Sequence, residues 1–213
     1  MIRVLLADDH PVVRSGYLRL LDQTGDIQVI AEAGDADAAY AAFVAHAPDV
    51  LVTDLAMPAG GGLELMRRVL LRSPQARVLV FSMHDSAVLV RRALQTGARG
   101  FLSKASDPEC LVDAVRELHA GRRYLGRELP PDLFQRDPND EAERLAELSP
   151  REFEIFRLLA QGHSSGECAQ ALKLSPKTIA NQQTAIKEKL GVATLAALVH
   201  LAIRHQVIST AGV

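Results

Sequence analysis

The sequence predicts an α/β domain built on a mostly parallel sheet, followed by a small all-α domain of four short helices. Three observations carry this. Over the first 120 or so residues, short apolar runs alternate with stretches of helical period. A segment of proline, glycine and charge without sustained periodicity follows. After it, helix-start signals recur with no further strand pattern. A chain of 213 residues can form two domains that each bury a core. The predicted boundaries are 1–121 for the α/β domain, 122–147 for a linker and 148–213 for the helical domain.

The apolar runs are Ile2–Ala7, Ile27–Ala33, Val50–Thr53, Val78–Phe81 and Phe101–Leu102. Between and after them lie helical patterns near residues 12–21, 36–45, 62–71, 87–96 and 108–120. Parallel strands need crossovers, and a crossover is most often a helix, so this (βα)5 alternation implies a sheet covered on both faces. Ligands of such open sheets bind beyond the carboxyl ends of the strands.

Those carboxyl ends carry chemistry. Asp8 and Asp9 follow the first strand, Asp54 the third, Ser82 the fourth and Lys104 the fifth, while Ala33-Gly34 after the second offers nothing. Each residue alone has a structural use: an aspartate or serine caps the next helix, and a loop lysine is solvated. Complementary groups at four of five strand ends favour a shared site. Two or three acids suffice for Mg²⁺, which takes oxygen ligands and keeps several waters. Lys104 and Ser82 would offer a charge and a hydrogen bond to phosphoryl oxygens.

The runs Asp8-Asp9-His10-Pro11-Val12-Val13-Arg14-Ser15-Gly16, Asp54-Leu55-Ala56-Met57-Pro58, Ser82-Met83-His84-Asp85 and Gly97-Ala98-Arg99-Gly100-Phe101-Leu102-Ser103-Lys104 resemble the receiver domain of two-component response regulators of the NarL/FixJ class. The resemblance implies a flavodoxin-like fold in which Asp54 accepts a phosphoryl group from a sensor kinase histidine. It implies that Asp9, Asp54 and the backbone carbonyl of Ala56 hold Mg²⁺, with Asp8 acting nearby through water. Ser82 and Lys104 would bind phosphoryl oxygens. Phe101 stands at the aromatic switch position and would turn inward as Ser82 is drawn to the phosphoryl group. Residues Ala56 and His84 would flank the hydrolytic water. Such a receiver modifies itself and is not otherwise an enzyme.

Pro130-Pro131 and Asp137-Pro138-Asn139-Asp140 mark the linker, with a short helix expected near Glu141–Leu148. Beyond it, Ser149-Pro150-Arg151-Glu152 and Ser164-Ser165-Gly166-Glu167 each spell a capping box. Ser175-Pro176 opens a third helix that runs to Leu190 before Gly191, and a fourth spans about Thr194 to His205. The second and third, joined tightly at Lys173-Leu174, have the outline of a helix-turn-helix. In the third, Ile179, Gln183, Ile186 and Leu190 share an inward face. Lys177, Ala180, Asn181, Thr184, Lys187 and Glu188 lie opposite, a face suited either to solvent or to a major groove.

Leu148-Ser149-Pro150-Arg151-Glu152, Leu174-Ser175-Pro176-Lys177-Thr178-Ile179 and Ile186-Lys187-Glu188-Lys189-Leu190-Gly191-Val192 resemble the LuxR-type DNA-binding domain. This implies dimeric binding to double-stranded DNA, with Leu195, Leu198 and Val199 of the fourth helix as the dimer surface. Phosphate contacts would come from Lys177, Lys187 and Lys189 and from helix N-termini, that of Thr178 included. Base contacts carried over by the resemblance are Ala180, Asn181 and Thr184. The chain departs from the family where Ala180 replaces a frequent basic residue and Gln182 a His.

Composition agrees without deciding. Residues 149–213 hold 7 Lys/Arg against 4 Asp/Glu, a modest positive excess within a chain of formal charge −2. No apolar run reaches membrane-spanning length and no signal-peptide layout opens the chain, so a cytoplasmic protein with no membrane partner is expected. Cys110 and Cys168 fall in different predicted domains, and no His or Cys pair has zinc-ligand spacing. The expected function is a phosphorylation-controlled transcription regulator. The alternative is a phospho-responsive protein-interaction regulator whose helix-turn-helix binds DNA weakly or without sequence preference. An aspartate-based phosphohydrolase is disfavoured because Ala56 supplies no second acid.

Overall fold

The computed structural model describes residues 1–58, 61–129 and 141–208. The proline and Asp-Pro-Asn-Asp signals read as linker, at 130–131 and 137–140, lie outside the described residues. The chain divides into two compact units, one of Met1–Asp85 with Ala93–Leu129, the other of Ser86–Arg92 with 130–213.

In the first unit, strands β1 (Ile2–Ala7), β2 (Ile27–Ala33), β3 (Val50–Thr53), β4 (Val78–Ser82), β5 (Gly100–Ser103) and β6 (Tyr124–Leu125) form one parallel sheet in the order β2-β1-β3-β4-β5-β6. Helices α1 (Pro11–Asp22), α2 (Ala36–His46), α3 (Gly61–Arg72), α4 (Ala87–Thr96) and α5 (Glu109–His119) connect the strands, with α4 split between the units. The order doubles back between β1 and β3, the place where ligands bind in such sheets. Alternate residues of the strands, among them Val4, Leu6, Val52, Leu79 and Phe81, join Leu21 of α1 and Leu111, Val115 and Leu118 of α5 in one core. All four residues of β3 and of β5 are buried, because a parallel sheet is covered on both faces. The sixth strand lies inside the predicted linker; its two residues carry no period that sequence could reveal.

In the second unit, α6 (Glu141–Glu147), α7 (Pro150–Ala160), α8 (Ser165–Leu172), α9 (Pro176–Leu190) and α10 (Leu195–Arg204) pack around Phe153, Phe156, Ile179, Ile186, Leu198 and Leu201. Both capping boxes form. The Glu152 amide donates to Ser149 Oγ at 3.2 Å and the Ser149 amide returns a bond to Glu152 Oε2 at 2.7 Å. Ser164 and Glu167 repeat the arrangement at the start of α8. Lys173 closes α8 in the left-handed region at φ 55°, which turns the chain sharply into α9. One expectation is corrected here: Leu198 is fully buried, because the inward stripe of α10 is Leu198, Leu201 and Ala202. Only the 43% exposed Leu195 and the half-buried Val199 remain of the expected dimer surface.

Among the described residues no helix is long and apolar enough to cross a membrane.

Candidate functional site

Backbone pairing brings the strand ends together. The Asp54 amide donates to the Ala7 carbonyl at 2.9 Å, which sets the end of β3 beside that of β1, and the Lys104 amide donates to the Ser82 carbonyl at 2.9 Å. Asp8, Asp9, Asp54, Ser82 and Lys104 therefore meet at one edge.

The side chains complete the pattern. Ser82 Oγ donates to Asp54 Oδ1 at 2.7 Å and the Ala56 amide donates to the same oxygen at 3.2 Å. Lys104 Nζ donates to Asp54 Oδ2 at 2.5 Å and also pairs with Asp8 Oδ2 at 2.7 Å. The side chains of Asp8, Asp54 and Lys104 are each only 4% exposed. Burial pushes the Asp54 carboxyl up, but the Lys104 charge and the bonds from Lys104, Ser82 and Ala56 outweigh it and hold the group below its ordinary value. Burial works against the Lys104 ammonium too, and the charges and bonds of Asp54 and Asp8 outweigh that, leaving its pKa raised. The site holds an ionised carboxylate whose two oxygens are both engaged.

Asp8, Asp9, His10 and Asp54 each offer one ligand atom, all within 4.8 Å of one another. Asp9 Oδ1 is buried and accepts no hydrogen bond; its polar neighbour is the His10 ring, whose Nδ1 stands 2.9 Å away, and a buried carboxylate oxygen calls for a cation. The three carboxylates of this set are hard oxygen donors and fit Mg²⁺. Phe101 is fully buried within β5, so the aromatic expected to turn inward already points into the core.

On α9, Lys177, Ala180, Asn181 and Thr184 are exposed along one side, Thr178 and Lys187 are half-buried, and Ile179, Ile186 and Leu190 face the core. Two contacts modify the expected DNA face. Thr184 Oγ1 donates to the Ala180 carbonyl at 3.2 Å, and Lys189 Nζ pairs with Glu152 Oε1 at 2.6 Å. The Thr178 hydroxyl shares a hydrogen bond with the N-cap Ser175.

Residues 4–116 match the family of the response regulator receiver domain, and residues 146–202 match that of bacterial regulatory proteins of the luxR family. The chain belongs to the NarL/FixJ-class response regulators. The response regulator UvrY of Escherichia coli O6:H1 is 35% identical over 207 residues, which span 96% of this chain and 95% of UvrY. The transcriptional activator protein ExaE of Pseudomonas putida is 41% identical over 203 residues, 94% of this chain and 95% of ExaE. The structure of RcsB from Salmonella enterica serovar Typhimurium, bound to promoter rprA with the phosphomimetic BeF3⁻, is similar at TM-score 0.69 and 29% identity. It covers 94% of this chain and 98% of that one.

Three supports of this response regulator's acid site have no signal in its motif spacing. Arg14 donates from one guanidinium nitrogen to the Asp8 carbonyl at 2.6 Å and from another to Glu32 at 3.1 Å, steadying the turn after β1. Thr53 is fully buried and donates to the Asp54 carbonyl at 3.0 Å. Gly62 packs its Cα against the same peptide: a Cβ there would lie 2.0 Å from the Asp54 carbonyl oxygen. Neither backbone can yield without moving the loop that follows β3. Gly62→Ala is therefore expected to cost about 2–3 kcal/mol. Urea unfolding of the full chain would measure it, and a loss under 0.5 kcal/mol would show that α3 shifts freely.

Proposed function

We propose that this response regulator accepts a phosphoryl group on Asp54 from a sensor histidine kinase and thereby controls transcription through dimeric binding of double-stranded DNA. The observation that carries the reading is the Asp54 carboxylate, ionised and held between Ser82 and Lys104 beside two further acids. In the transfer, the bond from phosphorus to the donor imidazole nitrogen breaks and a bond to an Asp54 oxygen forms, in line. Lys104 and Ser82 move their hydrogen bonds from the carboxylate to the phosphoryl oxygens. Mg²⁺, held by Asp8, Asp9, Asp54 and the Ala56 carbonyl, would neutralise charge on the phosphoryl group. Ser82 and the buried Phe101 form the switch. Hydrolysis by the receiver itself resets the state.

Residues 1–121 act as the receiver, 122–147 as the connection and 148–213 as the DNA-binding domain, in a cytoplasmic protein. Lys177 and Lys187 contact phosphates, with Lys189 joining when it leaves Glu152, and the α9 N-terminus around Thr178 adds backbone donors. Asn181 reads an adenine edge, while Ala180 and Thr184 offer apolar contact to thymine methyls. The similar RcsB, seen on promoter DNA with a phosphomimetic, supports the pairing of phosphorylation with DNA binding.

A second reading is favoured by α9 itself. The Lys189–Glu152 pair and the spent Thr184 hydroxyl leave a sparse reading surface, as a protein-interaction regulator with weak DNA affinity would have. Selection of bound sequences from random duplex DNA separates the two. The full chain, treated with Mg²⁺ and a small phosphoryl donor, is expected to enrich a motif with two half-sites. Recovery of unselected DNA at every level of phosphorylation would favour the second reading.

A further inference from the structure

We infer that His10 is a further ligand of the acid cluster, giving the site an imidazole nitrogen that shifts its cation choice from Mg²⁺ toward borderline divalent ions such as Mn²⁺ and Co²⁺. The inference rests on the proposal that the cluster holds a divalent cation, and it adds a donor of a different chemical class.

The ring is not beside Asp54 by sequence proximity. It reaches within 4.8 Å of an oxygen of Asp54, which lies on another strand end. Its Nδ1 stands 2.9 Å from Asp9 Oδ1 and 3.5 Å from Asp8 Oδ1, yet Asp9 Oδ1 accepts no hydrogen bond. That approach is an ion pair when the ring is protonated, and with the ring neutral a shared cation would take a lone pair from each of the two atoms. Ligands set at right angles about 2.1 Å from a common ion are separated by about 2.9 Å, and opposed ligands by about 4.2 Å. The cluster needs only small adjustments to reach those separations.

The backbone of His10 is fixed, while its ring pairs with Asp8 and Asp9 of the cluster itself. The His10 amide donates to Asp8 Oδ1 at 2.8 Å, its carbonyl accepts from the Arg14 amide at 3.0 Å, and Pro11 sets the first turn of α1. His10 occupies the N-cap position, but its side chain caps nothing and is 64% exposed. An exposed ring on an anchored backbone can receive an ion from solvent with little rearrangement. Carboxylate and carbonyl oxygens suit Mg²⁺, whereas an added imidazole favours transition ions of higher affinity for nitrogen.

The test compares the full chain with His10→Ala, a change that removes no cap bond and should leave α1 folded, as circular dichroism would show. Mn²⁺ binding is followed by electron paramagnetic resonance, with Mg²⁺ as competitor. The preference for Mn²⁺ over Mg²⁺, the ratio of the two Kd values, is expected to fall about tenfold in the variant. Pulsed measurements on the Mn²⁺ complex are expected to show nitrogen coupling in the natural chain and none in the variant. An unchanged ratio, or nitrogen coupling that persists in His10→Ala, would overturn the assignment while leaving the oxygen site standing. Failure of the natural chain to bind either ion would remove the cation reading and this inference together.

Discussion

Asp54→Asn is expected to take up no phosphoryl label, a loss on the order of a hundredfold or more, when the full chain meets a small phosphoryl donor with Mg²⁺. The amide matches the carboxylate in size and can still accept from Ser82 Oγ and the Ala56 amide, which now approach Asp54 Oδ1 at 2.7 and 3.2 Å. What it lacks is an anionic oxygen able to form an acyl phosphate. Label on the natural chain should also be released by hydroxylamine, as an acyl phosphate is. Undiminished labelling of the variant would put the acceptor on another residue.

Lys104→Met is expected to produce the largest loss of stability. The ammonium lies between the Asp8 and Asp54 carboxylates, and methionine would leave both buried without a counter-charge. Removing one partner of a buried pair costs about 3 kcal/mol. The pH dependence has a definite sign. The Asp54 carboxyl is held below its ordinary 3.8, so its contribution is complete above that value and fades as pH falls through the lower folded value. Lys104 is raised above 10.5, so its contribution is complete below that value and is lost as pH rises through the higher folded one. The natural site is thus intact across the neutral range. In Lys104→Met the deficit should be largest near neutrality and shrink in acid, where a buried carboxyl takes a proton. Urea midpoints at neutral and acid pH would measure this, and a deficit independent of pH would mean that the lysine contributes packing rather than charge.

Much of this was legible from the sequence because the deciding forces are local or periodic. Four consecutive β-favouring residues and Pro58 marked the end of β3, and the capping boxes at Ser149 and Ser164 marked helix starts through bonds that span only three residues. The gathering of Asp8, Asp9, Asp54, Ser82 and Lys104 followed from the parallel topology alone. What escaped depends on contacts without a period. Gly62 is needed for the approach of one backbone to another eight residues earlier, and a glycine near a helix start has many other uses. Lys189 reads as a cation for DNA until α7 packs on α9 and offers it Glu152, 37 residues away. Leu198 looked available for a dimer surface because a helix written as a string shows an apolar stripe without showing how much of it the neighbouring helices already cover.

Asp54 is never bare. Ser82 and Ala56 occupy one of its oxygens and Lys104 the other. Under the proposed function, signalling at this site is an exchange of loyalties: what the incoming group gains, the old carboxylate gives up. The gap between the silent and signalling chains is then a small difference between two similar sets of bonds. A gap of that size lets a kinase set the state and water undo it, with the same few side chains serving both.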